Sequence, residues 1–175
     1  MNDVPEIHTD RLLLRSFRDS DINEYAEMCG DTEVMRYLSN GQPMNRENAW
    51  RHMAMIIGHW HFRGFGLWAA ELKETGELAG RIGCWQPEGW PGLEVGWTLK
   101  QKFWGKGLAF EGAKASLCYA FETLNADRVI SIIHPENIRS IKLAKRLGEH
   151  FDKVAEVKGS LVHIYAIDRA ASVRT

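Results

Sequence analysis

Short runs of alternating hydrophobic and polar residues recur along the chain and are separated by longer stretches with helical spacing. Such alternation, with β-branched and aromatic residues, predicts β-strands. The predicted strands cover residues 11–17, 65–72, 78–85, 93–99, 127–133, 151–157 and 161–168. The second and third of these flank the glycine-containing turn KETGE, which indicates a β-hairpin, and the fourth strand extends it to a three-stranded meander.

Four stretches have apolar residues at helical spacing. They are residues 18–31, 45–64, 107–124 and 137–148. Asn45 is an N-cap candidate for the second predicted helix, and Gly148 closes the fourth one in the manner of a C-cap glycine. The predicted order is β-α-α-β-β-β-α-β-α-β-β. This order favours an α/β (α+β) fold with a single mixed sheet and helices on its faces.

Composition narrows the classes of function. The chain has 175 residues and a mass of 20.0 kDa, which predicts a single domain over residues 1–175. A formal net charge of -1 argues against a nucleic-acid partner, since such domains usually carry a basic excess. The N-terminus lacks a signal-peptide pattern and no apolar run reaches membrane-spanning length. We therefore predict a cytoplasmic protein that does not bind a membrane.

Histidines in the second predicted helix raise the question of a metal site. His59 and His61 are two residues apart, so their rings diverge on a helix, and His52 lies elsewhere on it. No carboxylate or cysteine completes a ligand set, and the three cysteines are far apart in the sequence. The sequence therefore predicts no metal.

The stretch WGKGLA places Gly105 and Gly107 around Lys106, at the start of the third predicted helix. The first four N–H groups of a helix lack internal partners, and glycines let a ligand approach the backbone closely. This chemistry suits a phosphate group, although an ordinary helix start with an exposed Lys106 is an equally simple interpretation. The GxGxxG pattern is excluded by Phe110, and a Walker A loop is excluded because Gly107 follows Lys106.

Three stretches together resemble the GNAT family of N-acetyltransferases, and within it the RimJ/RimL-like branch. They are TDRLLLRSFRDSD, EVGWTLKQKFWGKGLAFEGA and HPENIRSIKLAKRLGE, in that order. The resemblance implies a GNAT fold, that is, a mostly antiparallel mixed sheet flanked by helices on both faces. Trp104 stands at the first position of the family's Q/R-x-x-G-x-G/A pattern, as in this branch.

The resemblance implies that acetyl-CoA is the co-substrate and that backbone amides of the glycine loop hold its diphosphate. The implied cofactor-binding residues are Trp97, Leu99, Trp104, Gly105, Lys106, Gly107, Leu108, Ala109, Asn137 and Ser140. Asn137 and Ser140 occupy the family's N-x-x-S positions. On their own chemistry, these two residues equally suit capping of the fourth predicted helix.

The family resemblance also implies catalytic positions. Glu94 is the candidate general base, with a solvated or ion-paired strand carboxylate as the alternative. Ser140 is a candidate hydrogen-bond donor to the thiolate, and a backbone N–H within residues 95–97 would stabilise the oxyanion. The tyrosine that many GNAT enzymes use as an acid is replaced by Ala144. A thiol with a pKa of about 8.5 is a good leaving group without that acid.

We therefore predict an N-acetyltransferase that transfers acetyl from acetyl-CoA to a primary amine by direct attack. The acceptor is a peptide N-terminus or a small molecule, and a homodimer is common in the family. An α-amine with a pKa of about 7.7–8.0 needs only weak base assistance. Two alternatives remain open at this point, namely a GNAT-fold module that binds CoA without catalysis, and an enzyme that uses a different acyl-CoA.

Overall fold

The computed structural model describes residues 4–169 and places eight strands in one sheet. The strands are β1 (Ile7–His8), β2 (Leu12–Arg15), β3 (Leu67–Leu72), β4 (Leu78–Trp85), β5 (Glu94–Leu99), β6 (Arg128–Ile133), β7 (His150–Val157) and β8 (Ser160–Asp168). The α-helices of the described range are α1 (Ile22–Gly30), α2 (Thr32–Met35), α3 (Arg46–Arg63), α4 (Leu108–Glu122) and α5 (Ile138–Arg146).

The strand order across the sheet is β1-β2-β3-β4-β5-β6-β8-β7. Neighbouring strands are antiparallel throughout, except for the parallel pair β5 and β6. This confirms the predicted mixed, mostly antiparallel sheet. Two elements escaped prediction. β1 has only two residues, and α2 is a single turn capped by Asp31, whose Oδ1 accepts the N–H of Glu33 at 2.8 Å.

Helix boundaries follow local chemistry as the sequence predicted. The Asn45 side chain accepts the N–H of Asn48 at 2.9 Å and caps α3, which ends at Gly64 in a left-handed conformation with φ of 74°. Asn137 caps α5 in the same way, through the N–H of Ser140 at 3.2 Å.

None of the helices in the described range combines the length and hydropathy that crossing a bilayer requires.

The helices cover both faces of the sheet. On β4, the Cys84 side chain faces the Ser116 carbonyl of α4, whereas its neighbour Trp85 stacks on His59 of α3 with ring centroids 4.3 Å apart. Adjacent strand residues point to opposite faces, so α4 and α3 lie on opposite sides. At Gly112 of α4 a Cβ would meet the Ile82 side chain at 2.5 Å, so this glycine lets the helix approach the sheet closely.

Candidate active site

The sheet opens between β5 and β6. Only Glu94 and Ile130 are paired in register, next to a hydrogen bond from the Ile130 N–H to the Leu93 carbonyl at 2.9 Å. Beyond this point the two parallel strands diverge, and their backbone groups need other partners. β5, which borders the resulting gap, leads directly into the glycine loop and α4. The start of α5 lies beside it, because Ser140 contacts Trp97.

Glu94 lies at the base of this gap. Its carboxylate accepts a hydrogen bond from the Ile132 backbone N–H, and Oε2 accepts the Trp90 indole N–H at 2.7 Å. Burial raises the pKa of Glu94 to about 7, although these two hydrogen bonds and the positive charge of Arg81 act in the opposite direction. A carboxylate with that pKa is both available as a base and protonatable near neutral pH.

On the other side of the gap, Ser131 of β6 bridges to β5. Its hydroxyl donates to the Val95 carbonyl at 2.8 Å and lies 3.0 Å from Oε1 of Glu149. A serine has one proton to donate, so both contacts are hydrogen bonds only if Glu149 is protonated and donates to Ser131. Glu149 is 3% exposed, and its Oε2 is buried without a hydrogen-bond partner in the described range. Burial raises the pKa of Glu149 to about 8, and the charge of Glu94 adds to the effect.

The glycine loop precedes α4 as predicted. Gly105 and Gly107 have φ of 74° and 78°, a left-handed conformation that favours glycine, and they are exposed together with Lys106. No side chain caps the N-terminus of α4, where Gly107 is the N-cap residue. The side chain of Leu108 is buried, so this residue offers only its backbone. The exposed amides suit a diphosphate, which the helix dipole also favours.

Two contacts that the sequence did not reveal hold the loop in place. Arg11 donates to the Lys106 carbonyl at 2.8 Å, and both its backbone N–H and its Nε bond the carboxylate of Glu111 at 2.7 Å. Glu111 lies in the first turn of α4 and also accepts the Thr9 hydroxyl at 2.6 Å. The turn between β1 and β2 therefore braces the loop, a contact between residues about a hundred positions apart that no local pattern predicts.

Trp104 and Trp97 connect the loop to the rest of the site. The Trp104 indole donates to the Leu99 carbonyl at 2.8 Å, and the Arg139 guanidinium lies 4.7 Å from its ring. The Trp97 indole donates to Ser140 Oγ at 3.3 Å. The structure thus brings Trp97 and Ser140 together, while Trp104 anchors the loop to the end of β5.

Glu94 and Ser140 approach the gap from opposite faces of the sheet. Glu94 and Trp97 have opposite parity on β5, and Ser140 is on the Trp97 side. A thioester lying in the gap would be accessible to both side chains, one on the amine side and one on the sulfur side. Their catalytic roles, like the cofactor contacts, stay predictions.

The histidines of α3 have structural partners. His59 bonds the Phe65 carbonyl at 2.7 Å and accepts the Gln86 N–H at 3.1 Å, and His52 bonds the Tyr25 hydroxyl at 2.7 Å. Across residues 4–169, no group of three or more histidine, cysteine or acidic side chains is arranged to hold a metal ion.

Known proteins are similar to this chain in sequence and in fold. The model of the acetyltransferase (GNAT) domain matches residues 11–150. A protein of Bacillus licheniformis described as an uncharacterized N-acetyltransferase is 30% identical, over 91% of this chain and 92% of its own. The [ribosomal protein uS5]-alanine N-acetyltransferase of Escherichia coli is 28% identical, over 92% of this chain and 86% of its own.

Among solved structures, an acetyltransferase from Agrobacterium tumefaciens superimposes with a TM-score of 0.85 and 30% identity. That match covers 95% of this chain and 96% of the other. The family model alone spans 140 of 175 residues, from the start of β2 to the start of β7. The resemblance inferred from three short motifs is thereby confirmed along most of the chain, which belongs to the GNAT family of acetyltransferases.

Proposed function

We propose that this protein transfers the acetyl group of acetyl-CoA to an α-amine, and that Glu94 acts as the general base. The observation that carries the proposal is the position of a carboxylate with a pKa raised to about 7 at the base of the β5–β6 gap. Family membership makes it an N-acetyltransferase, and the residues of this chain suggest how the two substrates bind.

The residues of the glycine loop fit coenzyme A. Gly105, Lys106 and Gly107 expose the uncapped N-terminus of α4, and the Lys106 cation adds a positive charge beside it. We propose that these amides hold the diphosphate and that the pantetheine arm enters the gap. Asn137 uses its side-chain oxygen to cap α5, which leaves its amide N–H groups for pantetheine carbonyls.

The chemistry then needs few further groups. The amine attacks the thioester carbon, Glu94 accepts the amine proton directly or through water, and the C–S bond breaks to release the CoA thiolate. A backbone N–H of residues 95–97 on the open edge of β5 stabilises the tetrahedral oxyanion. Ser140 lies on the opposite face and donates a hydrogen bond to the leaving sulfur. Ala144, which replaces the tyrosine of many GNAT enzymes, has no hydroxyl to do so.

The acceptor is a peptide N-terminus or a small-molecule amine. The relative from Escherichia coli acts on an alanine of a ribosomal protein, which supports the peptide class. Isothermal titration with acetyl-CoA, followed by a thiol-release assay over peptide and small-molecule amines, tests the proposal. Absence of acetyl-CoA binding at high micromolar protein would overturn it.

A second candidate is a module that binds CoA without catalysis, because Ala144 stands where many GNAT enzymes have a tyrosine. Absence of thiol release with every amine, together with tight CoA binding, would favour this candidate. Transfer of a different acyl group is distinguished by mass spectrometry of the thioester that copurifies. Homodimerisation, a cytoplasmic location and a single domain over residues 1–175 stay predictions, and light scattering tests the first.

A further inference from the structure

Arg81 is a half-buried cation without a counter-ion. It lies in the middle of β4, paired in register with Ala69 of β3 and Thr98 of β5. Its Nε is buried and has no hydrogen-bond partner, and the guanidinium takes part in no ion pair with any residue of the range 4–169. An unpaired charge at a partly buried position is unfavourable in the free protein.

The other two arginines that lie in strands of the described range are paired. Arg15, which is 3% exposed, bonds Asp21 at 2.8 Å and Glu71 at 2.6 Å. Arg128 bonds Asp152 at 2.7 Å and Asp168 at 3.0 Å. Arg81 departs from this pattern, so a ligand can supply the partner that its guanidinium lacks among residues 4–169.

The charge of Arg81 acts on Glu94 and, together with the charge of Lys158, on His52. Its side chain is on the face of β4 that α1 and α3 cover, opposite to α4. Burial, followed by the charges of Arg81 and Lys158, lowers the pKa of His52 to about 3, so this imidazole is uncharged. Burial likewise raises the pKa values of Tyr25 and Cys29 on α1, and the charge of Arg81 partly offsets it.

Lys158 is a second cation whose charge, like that of Arg81, acts on His52. It lies in the turn between β7 and β8, and its Nζ is 5.2 Å from the centroid of the Trp90 ring. The Trp90 indole in turn bonds the candidate base Glu94. Lys158 thus stands beside the amine side of the gap.

His52 links Arg81 to an open cavity of about 380 Å³. His52 forms part of its wall, together with Met44, Asn48 and Met55 on or next to α3. The cavity has room for a small acceptor or for the first residues of a peptide. The residues that line the cavity include one cation, Arg51, and no acidic side chain, so the lining offers no counter-charge to the additional ammonium groups of a polyamine.

We propose that Arg81, assisted by Lys158, binds a carboxylate that the acceptor carries close to its reacting amine. The inference rests on the proposed function and specifies its substrate class. Arginine presents a planar fork of donors that matches a carboxylate. With the carboxylate on Arg81, the amine is directed toward Glu94. The carboxylate belongs either to a free amino acid or to an acidic residue near a peptide N-terminus.

Matched amine pairs test the proposal with the full chain and acetyl-CoA. Each amine is supplied as a carboxylate and as its amide: free amino acids against amino acid amides, and peptides that begin with Asp or Glu against peptides that begin with Asn or Gln. We expect kcat/KM, calculated for the unprotonated amine, to be about tenfold or more higher for the carboxylate member of at least one series, because a charge-assisted bidentate contact is lost in the amide. The series that shows the preference identifies the source of the carboxylate.

Variants then assign the preference to its residues. Arg81→Gln is expected to reduce the carboxylate-to-amide ratio of kcat/KM to within about threefold of one, and Lys158→Gln to reduce it less. Lys114→Gln removes an exposed charge from α4 on the other face of the sheet and serves as the matched control, with an unchanged ratio. If the Gln variant fails to fold, Arg81→Lys keeps the charge without the fork and is expected to lower the ratio by a smaller factor.

Equal use of carboxylates and amides by the wild type would overturn this inference while leaving the acetyltransferase proposal intact. A preference for carboxylates that Arg81→Gln and Arg81→Lys both retain in full would also overturn it. By contrast, failure to bind acetyl-CoA or to release thiol with every amine would contradict the proposed function itself. The two failures are therefore distinguishable in one set of assays.

Discussion

The two edges of β5 differ in how their backbone groups are satisfied. Toward β4 the strand is paired along its whole length, from Leu99 opposite Gly80 to Glu94 opposite Trp85. Toward β6 the pairing stops after Glu94, and side chains take over: Glu94 accepts the Ile132 N–H and Ser131 donates to the Val95 carbonyl. At this opening, side chains therefore replace part of the lost backbone hydrogen bonds.

The largest expected effect is on the open edge. Glu94→Gln keeps one side-chain oxygen, which can accept the Trp90 indole N–H, but cannot take a proton from the amine. We expect kcat for thiol release to fall by roughly 100- to 1,000-fold, the usual range for a lost general base. The melting temperature serves as a control and should change little. A variant within threefold of the wild-type rate would remove Glu94 from the mechanism.

The pH dependence of the reaction follows from the same residue. A base is active when deprotonated, so kcat/KM calculated for the unprotonated amine should rise with pH and level off above an apparent pKa of about 7. Below that value the rate should fall about tenfold per pH unit, because the fraction of free carboxylate does so. Rates measured from pH 5 to pH 9 with a fixed acceptor check this. A profile that is flat between pH 5 and pH 7 would contradict it.

A pair of glycines facing each other across the closed edge provides the next test. A Cβ on Gly83 would lie 2.5 Å from the Gly66 carbonyl oxygen, whereas on its β5 partner Gly96 it would meet Glu94 Oε1 at 3.6 Å. Gly83→Ala should therefore lower the free energy of unfolding by about 2 kcal/mol through overpacking. Gly96→Ala should change the same quantity by less than about 1 kcal/mol.

Denaturant titration of both variants measures the difference. Gly96→Ala also places a methyl group beside the Glu94 carboxylate, so its effect should appear in kcat rather than in stability. Equal destabilisation of the two variants would contradict the difference in packing around Gly83 and Gly96 that the structure shows.

Glu149 allows a finer test of the open edge through stability. The pKa of Glu149 is raised to about 8 in the folded protein, so the folded state binds more protons than the unfolded state between about pH 4.3 and pH 8. Stability contributed by this group therefore falls as pH rises through that window, by about 1.4 kcal/mol per pH unit for one proton. Glu149→Gln keeps a neutral donor to Ser131 and removes this slope.

Unfolding free energies at pH 5.5, 6.5 and 7.5 give the two slopes. The variant should be relatively more stable than the wild type at the highest pH, and the two lines should converge as the pH falls. Parallel lines would indicate that Glu149 is ionised throughout, in conflict with the single proton that Ser131 has for two acceptors.

The smallest effect is expected at Ser140. Its hydroxyl lies 3.3 Å from the Trp97 indole nitrogen and is placed to bond the leaving sulfur. Because a CoA thiolate leaves without strong acid assistance, Ser140→Ala should reduce kcat by no more than about tenfold. A loss as large as that of Glu94→Gln would make Ser140 an essential acid rather than an auxiliary donor.

Features encoded by neighbouring residues were predictable from the sequence. The alternation of hydrophobic and polar residues predicted the meander of β3 to β5. Capping chemistry predicted that α3 and α5 start at Asn45 and Asn137. The glycine loop before α4 was predicted because its conformation and its helix start are both local. These elements specify the fold and the cofactor side of the site.

Several contacts that shape both sides of the site depend on residues distant in the sequence. Ser131 and Glu149 meet only because the turn after α5 returns the chain to the sheet beneath β6. Glu111 bonds Arg11 across a hundred positions. The alternation of hydrophobic and polar residues in β4 predicts that the Arg81 guanidinium lies in solvent. The structure shows instead that α1 and α3 pack over this face and leave Arg81 half-buried.

The hydrogen bond between the Ile132 amide and Glu94 has a practical consequence for spectroscopy. Because the N–H of a residue in the sheet ends on the carboxylate of the candidate base, protonation of that carboxylate weakens the bond and shifts the amide resonance. The nitrogen and proton chemical shifts of Ile132 thus form an internal titration probe of Glu94. Such a probe follows the base in the resting protein, in the acetyl-CoA complex and in the presence of an acceptor, without a label or a turnover assay.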